Sequence, residues 1–170
     1  SDFLSLKSSI KNLLEKYVSN LTEVNLRTFT RKLNGVASSS EGVAANAFDE
    51  NNNTACTQVE ANGNIAYDYG EGQQQKITFV GITSNIDREY SLTLEYSLDN
   101  DNWHKLQILD KHTYKKGIAR WFDVSQPLLA RAYRIRETSG AILNIQEIYF
   151  ANNVLDTVIS NISRSYYLKL

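Results

Sequence analysis

The residues of this sequence with the most specific chemistry lie in an oxygen-rich loop, residues 46–54. Asp49, Asn51 and Thr54 offer carboxylate, amide and hydroxyl oxygens within a few positions of each other. Ca²⁺ binds about six to eight oxygens, mixing carboxylates with carbonyls and short polar side chains. The loop therefore predicts a structural calcium site. The residues fit a second interpretation equally, in which Asp49 makes an ordinary Asx turn.

Residues that could support catalysis are sparse. The two histidines, His104 and His112, have no nucleophile or metal-ligand partner in a recognisable motif. Asp99 and Asp101 form a turn pair and are not spaced like the acid and base of a glycosidase. Cys56 is the single cysteine, which excludes an internal disulfide and a multi-cysteine metal site. We therefore expect a protein that is not an enzyme.

Charge and hydropathy exclude two classes of partner. The formal net charge is -1, without the clustered basic excess of a nucleic-acid-binding protein. No apolar run approaches the roughly 20 residues that span a bilayer, so we expect no membrane insertion. The sequence contains no Met, which indicates a processed chain or a fragment whose native targeting is not visible.

Amphipathic segments flank the centre of the chain at residues 1–34 and 151–170. The first has apolar residues at helical spacing: Phe3, Leu6, Ile10, Leu13, Tyr17 and Val24. This stripe fits a helix packed on its own domain, or a short coiled coil that drives homo-oligomerisation with Asn20 setting the register. The second has the same spacing at Leu155, Val158, Ile159, Ile162 and Tyr166. We expect the two helices to approach each other, since the termini of a domain often emerge close together.

Between the flanks, residues 35–150 alternate short β-rich runs with polar turns. The predicted strands are 65–69, 76–80, 90–96, 103–109, 120–124, 132–136 and 145–150. Trp103 and Trp121 lie within predicted strands and are expected in the core. Short strands at turn-marked intervals, without intervening helices, predict a mainly β domain that is a sandwich or a barrel.

An ordered series of segments gives this region a family resemblance. The series is Ala37-Ser38-Ser39, the A-x-D-G-N-like segment 45–51, the D-L-G-like strand end 67–70, the Y-S-x-D-G-x-x-W-like hairpin 95–103, the A-R-Y-V-R-L-like segment 130–135 and the L-x-E-I-like segment 145–148. In this order they resemble the discoidin, or coagulation factor 5/8 type C, family, whose sugar-binding branch is the family 32 carbohydrate-binding modules. The sequence departs from the family pattern with Glu50 and Asn100 at usual Gly positions and Cys56 at a usual Trp position. The resemblance implies a discoidin-like antiparallel β-sandwich, a galactose-binding-like jelly roll.

The resemblance also implies two sets of site residues. Related lectins bind Ca²⁺ with a loop like 46–54 and a Glu of the last strand, which here gives Asn46, Asp49, Asn51, Thr54, Gln146 and Glu147. The alternative for Glu147 is an ordinary salt bridge. Ligands of this fold bind in loops at one end of the sandwich, here 55–64, 82–90 and 110–118. The residues that would contact a sugar there are Asn85, Arg88, His112 and Tyr114. The alternative is that these loops are ordinary solvated tips, since surface loops are polar in general.

Two functions follow from these expectations. The first is a non-catalytic carbohydrate-binding or adhesion module of a larger surface or virion protein, with a glycan or cell-surface receptor as partner and an extracellular, cell-surface or virion location. The second is a structural or assembly module, such as part of a phage tail, fibre or capsid appendage, that oligomerises through its N-terminal helix without binding glycans.

Overall fold

The computed structural model describes residues 2–21 and 29–153 of the chain. The chain divides into two compact units. One comprises Arg31–Asn152, and the other comprises Ser1–Thr30 together with Asn153–Leu170. The described residues do not include 154–170, which carry most of the predicted C-terminal helix. The predicted approach of that helix to the N-terminal helix therefore also lies outside the described residues.

The described part of the first segment is a helix, α1 (Asp2–Leu21), as the apolar spacing predicts. Phe3, Leu6 and Ile10 are partly buried. Leu4 and Leu13 are 64% and 69% exposed. Among the described residues, no helix is both long enough and apolar enough to cross a membrane.

Twelve strands and one turn of 3₁₀ helix (Ala44–Ala47) make up the rest of the described chain. The strands are β1 (Phe29–Thr30), β2 (Val36–Ser39), β3 (Cys56–Thr57), β4 (Asn64–Asp68), β5 (Gln75–Lys76), β6 (Phe79–Ser84), β7 (Arg88–Ser97), β8 (His104–Tyr114), β9 (Arg120–Asp123), β10 (Leu129–Ala130), β11 (Ala132–Glu137) and β12 (Asn144–Asn153). The predicted mainly β class is confirmed.

The Arg31–Asn152 unit is an antiparallel sandwich. One sheet has the order β2-β4-β11-β7-β8. In the facing sheet, β12 pairs with β6 and β3, and β6 pairs with β9. β5 and β10 form a separate two-stranded pair. This arrangement is the predicted discoidin-like sandwich.

The core lies between the two sheets and follows the alternation of the strands. Leu92, Leu94 and Ile135 of the first sheet and Ile82 and Ile148 of the second are fully buried. Ile148 is directly opposite Ile82 in the pairing of β12 with β6. Each such side chain contributes about 1.5–3 kcal/mol when it is fully removed from water. The core therefore fixes which residues of each strand face outward.

Both tryptophans lie outside this core, and the prediction for them is wrong. Trp103 is half-buried, and the Arg134 guanidinium carbon lies 4.4 Å from the centre of its ring. Trp121 is also half-buried and lies over Gly81, where an added Cβ would be 2.3 Å from the ring. The position of each indole thus depends on a neighbouring residue. Arg134 stacks on Trp103, and the absence of a side chain at Gly81 leaves room for Trp121.

The predicted strand 76–80 is two strands, because the chain changes sheet within it. β5 ends at Lys76 in its pair with β10, and β6 begins at Phe79 beside β9 and β12. Thr78 joins the flanking segments by accepting a hydrogen bond from the Val124 N–H and donating its own N–H to the Ala151 carbonyl, both at 2.8 Å. Periodicity does not reveal such a crossing, since both halves remain extended.

Candidate functional site

The loop 46–54 is attached to β12 at a strand irregularity. The register of β12 against β6 shifts between Ile145 and Glu147, which leaves Gln146 as an extra residue. Gln146 Nε2 donates to the Asn52 carbonyl, and Glu147 Oε1 accepts from the Glu50 N–H at 3.1 Å. The strand and the loop, predicted to contribute to one site, are thus in contact.

Hydrogen bonds within the loop and to Ala55 involve most of the residues predicted to bind the metal. Asp49 Oδ1 accepts from the Asn51 N–H at 3.0 Å, which is an Asx turn. Asp49 Oδ2 accepts from the Thr54 hydroxyl at 2.5 Å. Asn46 Nδ2 donates to the Ala55 carbonyl at 3.1 Å. The loop is therefore held by its own hydrogen bonds.

Arg31 brings a buried cation to the Glu147 carboxylate. Arg31 Nη2 lies 2.6 Å from Glu147 Oε2 and 3.1 Å from Glu50 Oε1, and Nη1 donates to the Ile148 carbonyl at 2.8 Å. The Arg31 side chain is 4% exposed, and its guanidinium carbon lies 4.3 Å from the centre of the Tyr149 ring. We call Arg31, Glu147 and the loop 46–54 the Glu147 corner.

The electrostatic balance at the corner depends on this arginine. Burial raises the pKa of the Glu147 carboxyl to about 7, because the loss of hydration outweighs the opposing effects of Arg31 and the Glu50 N–H. The nearby Asp49 carboxylate adds to the increase. Arg31 is therefore the group that favours the charged form of Glu147 most strongly.

These contacts allow a test of whether the corner fits Ca²⁺. Glu147 Oε2 is bonded to a guanidinium, and both Asp49 oxygens accept hydrogen bonds from within the loop. Calcium at Glu147 would need Arg31 to leave, so the residues do not fit the ion while Arg31 is in place. The contacts are those of the alternative interpretation, an Asx turn and a salt bridge.

The second predicted site lies where loops of both sheets meet at one end of the sandwich. We call this surface the loop end; it consists of residues 57–64, 84–88, 115–119 and 138–144. Main-chain hydrogen bonds join the four loops: Gln58 N to Leu143 O (2.9 Å), Asn85 N to Asn144 O (2.9 Å), Gly117 N to Ser84 O (3.0 Å) and Glu137 N to Gly63 O (2.9 Å). Three of the loops belong to the predicted set, and the fourth, 138–144, is an addition from the structure.

Arg88 and Asn85 lie together at the loop end. Arg88 Nη1 donates to the Ile142 carbonyl at 2.6 Å, which holds the guanidinium between two of the loops. Among the described residues this is its one hydrogen bond, so most of its N–H groups are available to a ligand. Asn85 is half-buried and is fixed by the bond from its N–H to the Asn144 carbonyl.

Tyr114 and His112 lie on β8, which leads into the loop 115–119, and Tyr114 is directly opposite Arg88 in the pairing of β8 with β7. Tyr114 is 1% exposed, and its ring centre is 5.2 Å from that of Tyr90 in the core. A phenol this deeply buried cannot stack on a sugar from solvent, so the expected surface role of Tyr114 is not supported. His112 is half-buried against Phe122, with 5.1 Å between ring centres.

The loop end offers hydrogen-bonding groups but no aromatic face. Its four loops contain no Phe, Trp, Tyr or His. Sugars commonly bind through polar groups combined with an aromatic ring. A sugar bound at the loop end would therefore depend on hydrogen bonds from Arg88 and neighbouring amides, which predicts weak affinity for a single sugar unit.

Glu137 organises the loop end but is not among the residues that the sequence singles out. It is 0% exposed, and its carboxylate accepts from the N–H groups of Ser91 (2.9 Å), Ser139 and Ala141 (3.3 Å). The Ser139 hydroxyl donates to it as well. Glu137 is opposite Leu92 and continues the inward-facing positions of β11. A carboxylate at such a core position is the sequence feature from which its role could have been predicted.

Solved structures similar to this chain include an F5/8 type C domain and several carbohydrate-binding modules. The F5/8 type C domain of a Bacteroides fragilis protein has a TM-score of 0.62 and 12% identity, covering 74% of this chain and 96% of that one. The family 62 carbohydrate-binding module of Clostridium thermocellum has a TM-score of 0.59 and 19% identity, covering 73% and 99%. A Clostridium perfringens family 32 module, in complex with GalNAc-β-1,3-galactose, has a TM-score of 0.53 and 16% identity, covering 68% and 93%.

At these identities the likeness shows the fold. No protein-family model matches the sequence, and the comparison with curated proteins found no match. The chain thus has the discoidin-like sandwich of the carbohydrate-binding modules, as the ordered motifs predict.

Proposed function

We propose that this chain is a non-catalytic carbohydrate-binding module and that its ligand binds at the loop end. The observation that carries the proposal is the convergence of four loops around Arg88, on a fold used by sugar-binding modules. A neighbouring structure, a family 32 module, is in complex with 4,5-unsaturated mannuronic acid, and another holds a neutral disaccharide. An arginine between two polar loops can donate hydrogen bonds to the hydroxyls of an acidic or a neutral sugar, and to the carboxylate of the acidic one.

The proposal includes a setting in a larger protein. A similar solved chain joins a family 32 module to alginate lyase domains, and the matched region is 34% of that chain. By analogy, we assign this domain the role of attaching a larger extracellular, cell-surface or virion protein to a glycan receptor. Adhesion requires only weak individual contacts when several copies bind together.

Arg88→Ala is expected to weaken glycan binding by about 10- to 100-fold. The substitution removes charge-assisted hydrogen bonds worth about 1.5–3 kcal/mol. A glycan array with neutral galactose-containing and uronic-acid-containing oligosaccharides identifies the ligand, and calorimetric titration of the best ligand measures the change.

Arg136→Ala is the matched control for this experiment. Arg136 is also a partly exposed arginine, but it lies on the five-stranded sheet and bonds to Glu95 at 3.3 Å. It should bind glycan like the unmodified chain. Equal affinity of the Arg88→Ala variant and the unmodified chain would exclude the loop end, and no binding to any glycan would contradict the function.

A second candidate function, an assembly module, is favoured by the exposed apolar side chains of α1. Leu13 is 69% exposed and belongs to the stripe Phe3, Leu6, Ile10 and Leu13, which has the spacing of a short coiled coil. If α1 drives self-association, the full chain sediments as an oligomer and Leu6→Glu/Leu13→Glu as a monomer. A matched Ser8→Glu/Asn12→Glu variant, changed at exposed polar positions on the other side of the helix, should keep the oligomer. A monomeric full chain would remove this candidate.

A further inference from the structure

We propose that Arg31 is the resident cation of the Glu147 corner, so that this domain holds its loop 46–54 without calcium. The guanidinium supplies the positive charge that the resemblance to calcium-binding lectins assigns to a metal ion. The inference does not depend on the proposed glycan binding.

The acceptors of Arg31 are oxygens of the kind that bind a cation. The guanidinium contacts one oxygen each from Glu147, Glu50 and Ile148, at 2.6, 3.1 and 2.8 Å. Two of these are carboxylates and one is a main-chain carbonyl, which is the mixture of hard oxygens that Ca²⁺ prefers. The arginine therefore uses the same kind of acceptor that a metal would use.

The contacts of Arg31 also join the two parts of the fold that the predicted calcium ion would join, the loop 46–54 and the last strand. Glu147 lies on β12, while Glu50 belongs to the loop, and one guanidinium spans both. The Glu50 N–H also donates to the second oxygen of Glu147. The loop is thus fixed to the last strand around the buried Arg31–Glu147 pair, which Glu50 contacts through its N–H and through a carboxylate that is 66% exposed. Linking the loop to the strand is the role expected of a structural ion.

Both members of the Arg31–Glu147 ion pair are buried. The side chains of Arg31 and Glu147 are 4% and 3% exposed. A buried charge is tolerated only with a partner, and removal of one partner leaves the other uncompensated. The planar guanidinium also packs on Tyr149, with 4.3 Å to the ring centre, so it is held on its face as well as at its edge.

Thermal unfolding of the full chain in EDTA and in millimolar Ca²⁺ tests the proposal directly. The unmodified chain should have the same Tm in both solutions, with Mg²⁺ as the control ion. A saturable increase of its Tm with Ca²⁺ would overturn the proposal and support the calcium site predicted from Asp49 and Glu147.

Substitutions show whether Arg31 acts through its charge or only through its volume. At neutral pH, Arg31→Ala should lower the Tm by roughly 10 °C, since the buried Glu147 carboxyl loses its cation and must either stay charged without a partner or take up a proton. Adding Glu147→Gln to Arg31→Ala should then raise the Tm by about 3 °C, because the amide needs neither a counter-charge nor a proton. If Glu147→Gln lowers the Tm further in that background, Arg31 does not act as the counter-charge.

Arg136→Ala and the single variant Glu147→Gln serve as controls. Arg136→Ala, which removes an arginine from the Glu95 pair on the other sheet, should leave the Tm within about 2 °C of the unmodified value because that arginine is partly exposed. If Arg31→Ala does not fold, recovery of folding in the double variant with Glu147→Gln supports the proposal. Failure of both to fold, beside a folded Glu147→Gln single variant, contradicts it.

Discussion

Glu137→Ala is expected to lower the free energy of unfolding by about 4 kcal/mol. The substitution leaves three main-chain N–H groups, those of Ser91, Ser139 and Ala141, without their carboxylate acceptor. Each buried donor left unpaired costs about 1–3 kcal/mol. The loop 138–144 would keep the hydrogen bonds that Thr138 donates to the Ser91 carbonyl of β7, but without the carboxylate the Ile142 carbonyl that holds Arg88 would be fixed less firmly.

Urea denaturation at neutral pH measures this loss. Glu89→Ala is the control, because Glu89 is a carboxylate on the same sheet whose side chain is 55% exposed and pairs with Lys111. It should cost less than about 1 kcal/mol, as exposed ion pairs do. The loss of stability in Glu137→Gln should lie between the losses in Glu137→Ala and Glu89→Ala. The amide keeps one acceptor oxygen but replaces the other with an NH₂ group, which cannot accept from the N–H groups. A cost below about 1 kcal/mol for Glu137→Ala would mean that the carboxylate does not organise the loop.

Gly35→Ala is expected to lower the free energy of unfolding by about 3 kcal/mol through steric overlap. A Cβ at this position would lie 2.1 Å from the Asp68 carbonyl oxygen and 2.8 Å from Cε2 of Tyr67. The nearest atom is main chain in a strand, so it cannot rotate away. β2 would have to separate from β4 at their first paired residues, and the bond from the Gly35 N–H to the Tyr67 hydroxyl (2.7 Å) would be lost.

Gly72→Ala separates this overlap from the general cost of replacing glycine. At Gly72 an added Cβ meets nothing within 4 Å, but the backbone has a φ of +74°. That conformation costs an alanine about 1 kcal/mol. Chemical denaturation should therefore rank Gly35→Ala well below Gly72→Ala in stability, and the reverse order would show that β2 moves freely.

The sequence predicted the fold because the outward and inward residues of most strands alternate cleanly. Leu92 and Leu94 of β7 occupy one face in the sequence pattern and one core in the structure. The two tryptophans do not follow this alternation. Trp121 has the spacing of a core residue, but its position depends on the absence of a side chain at Gly81, on a neighbouring strand.

The two candidate sites were predicted to different extents. Loops 84–88 and 115–119 could be assigned to one end from strand order alone, and the structure brings them together. Arg31 could not be assigned in this way. It lies in a polar segment before the first sandwich strand, and its carboxylate partner is 116 residues away in sequence. No local pattern encodes a contact between positions so far apart, since it depends on how the chain as a whole is folded.

The buried position of Cys56 makes it useful as a reporter. Its side chain is 0% exposed on β3, and burial raises the pKa of its thiol, so the native protein should react slowly with alkylating reagents. Because it is the single thiol of the chain, a cysteine introduced on the surface can be labelled selectively without first removing Cys56. The slow reaction of Cys56 itself would then measure how often β3 separates from β12, beside the Glu147 corner, at equilibrium.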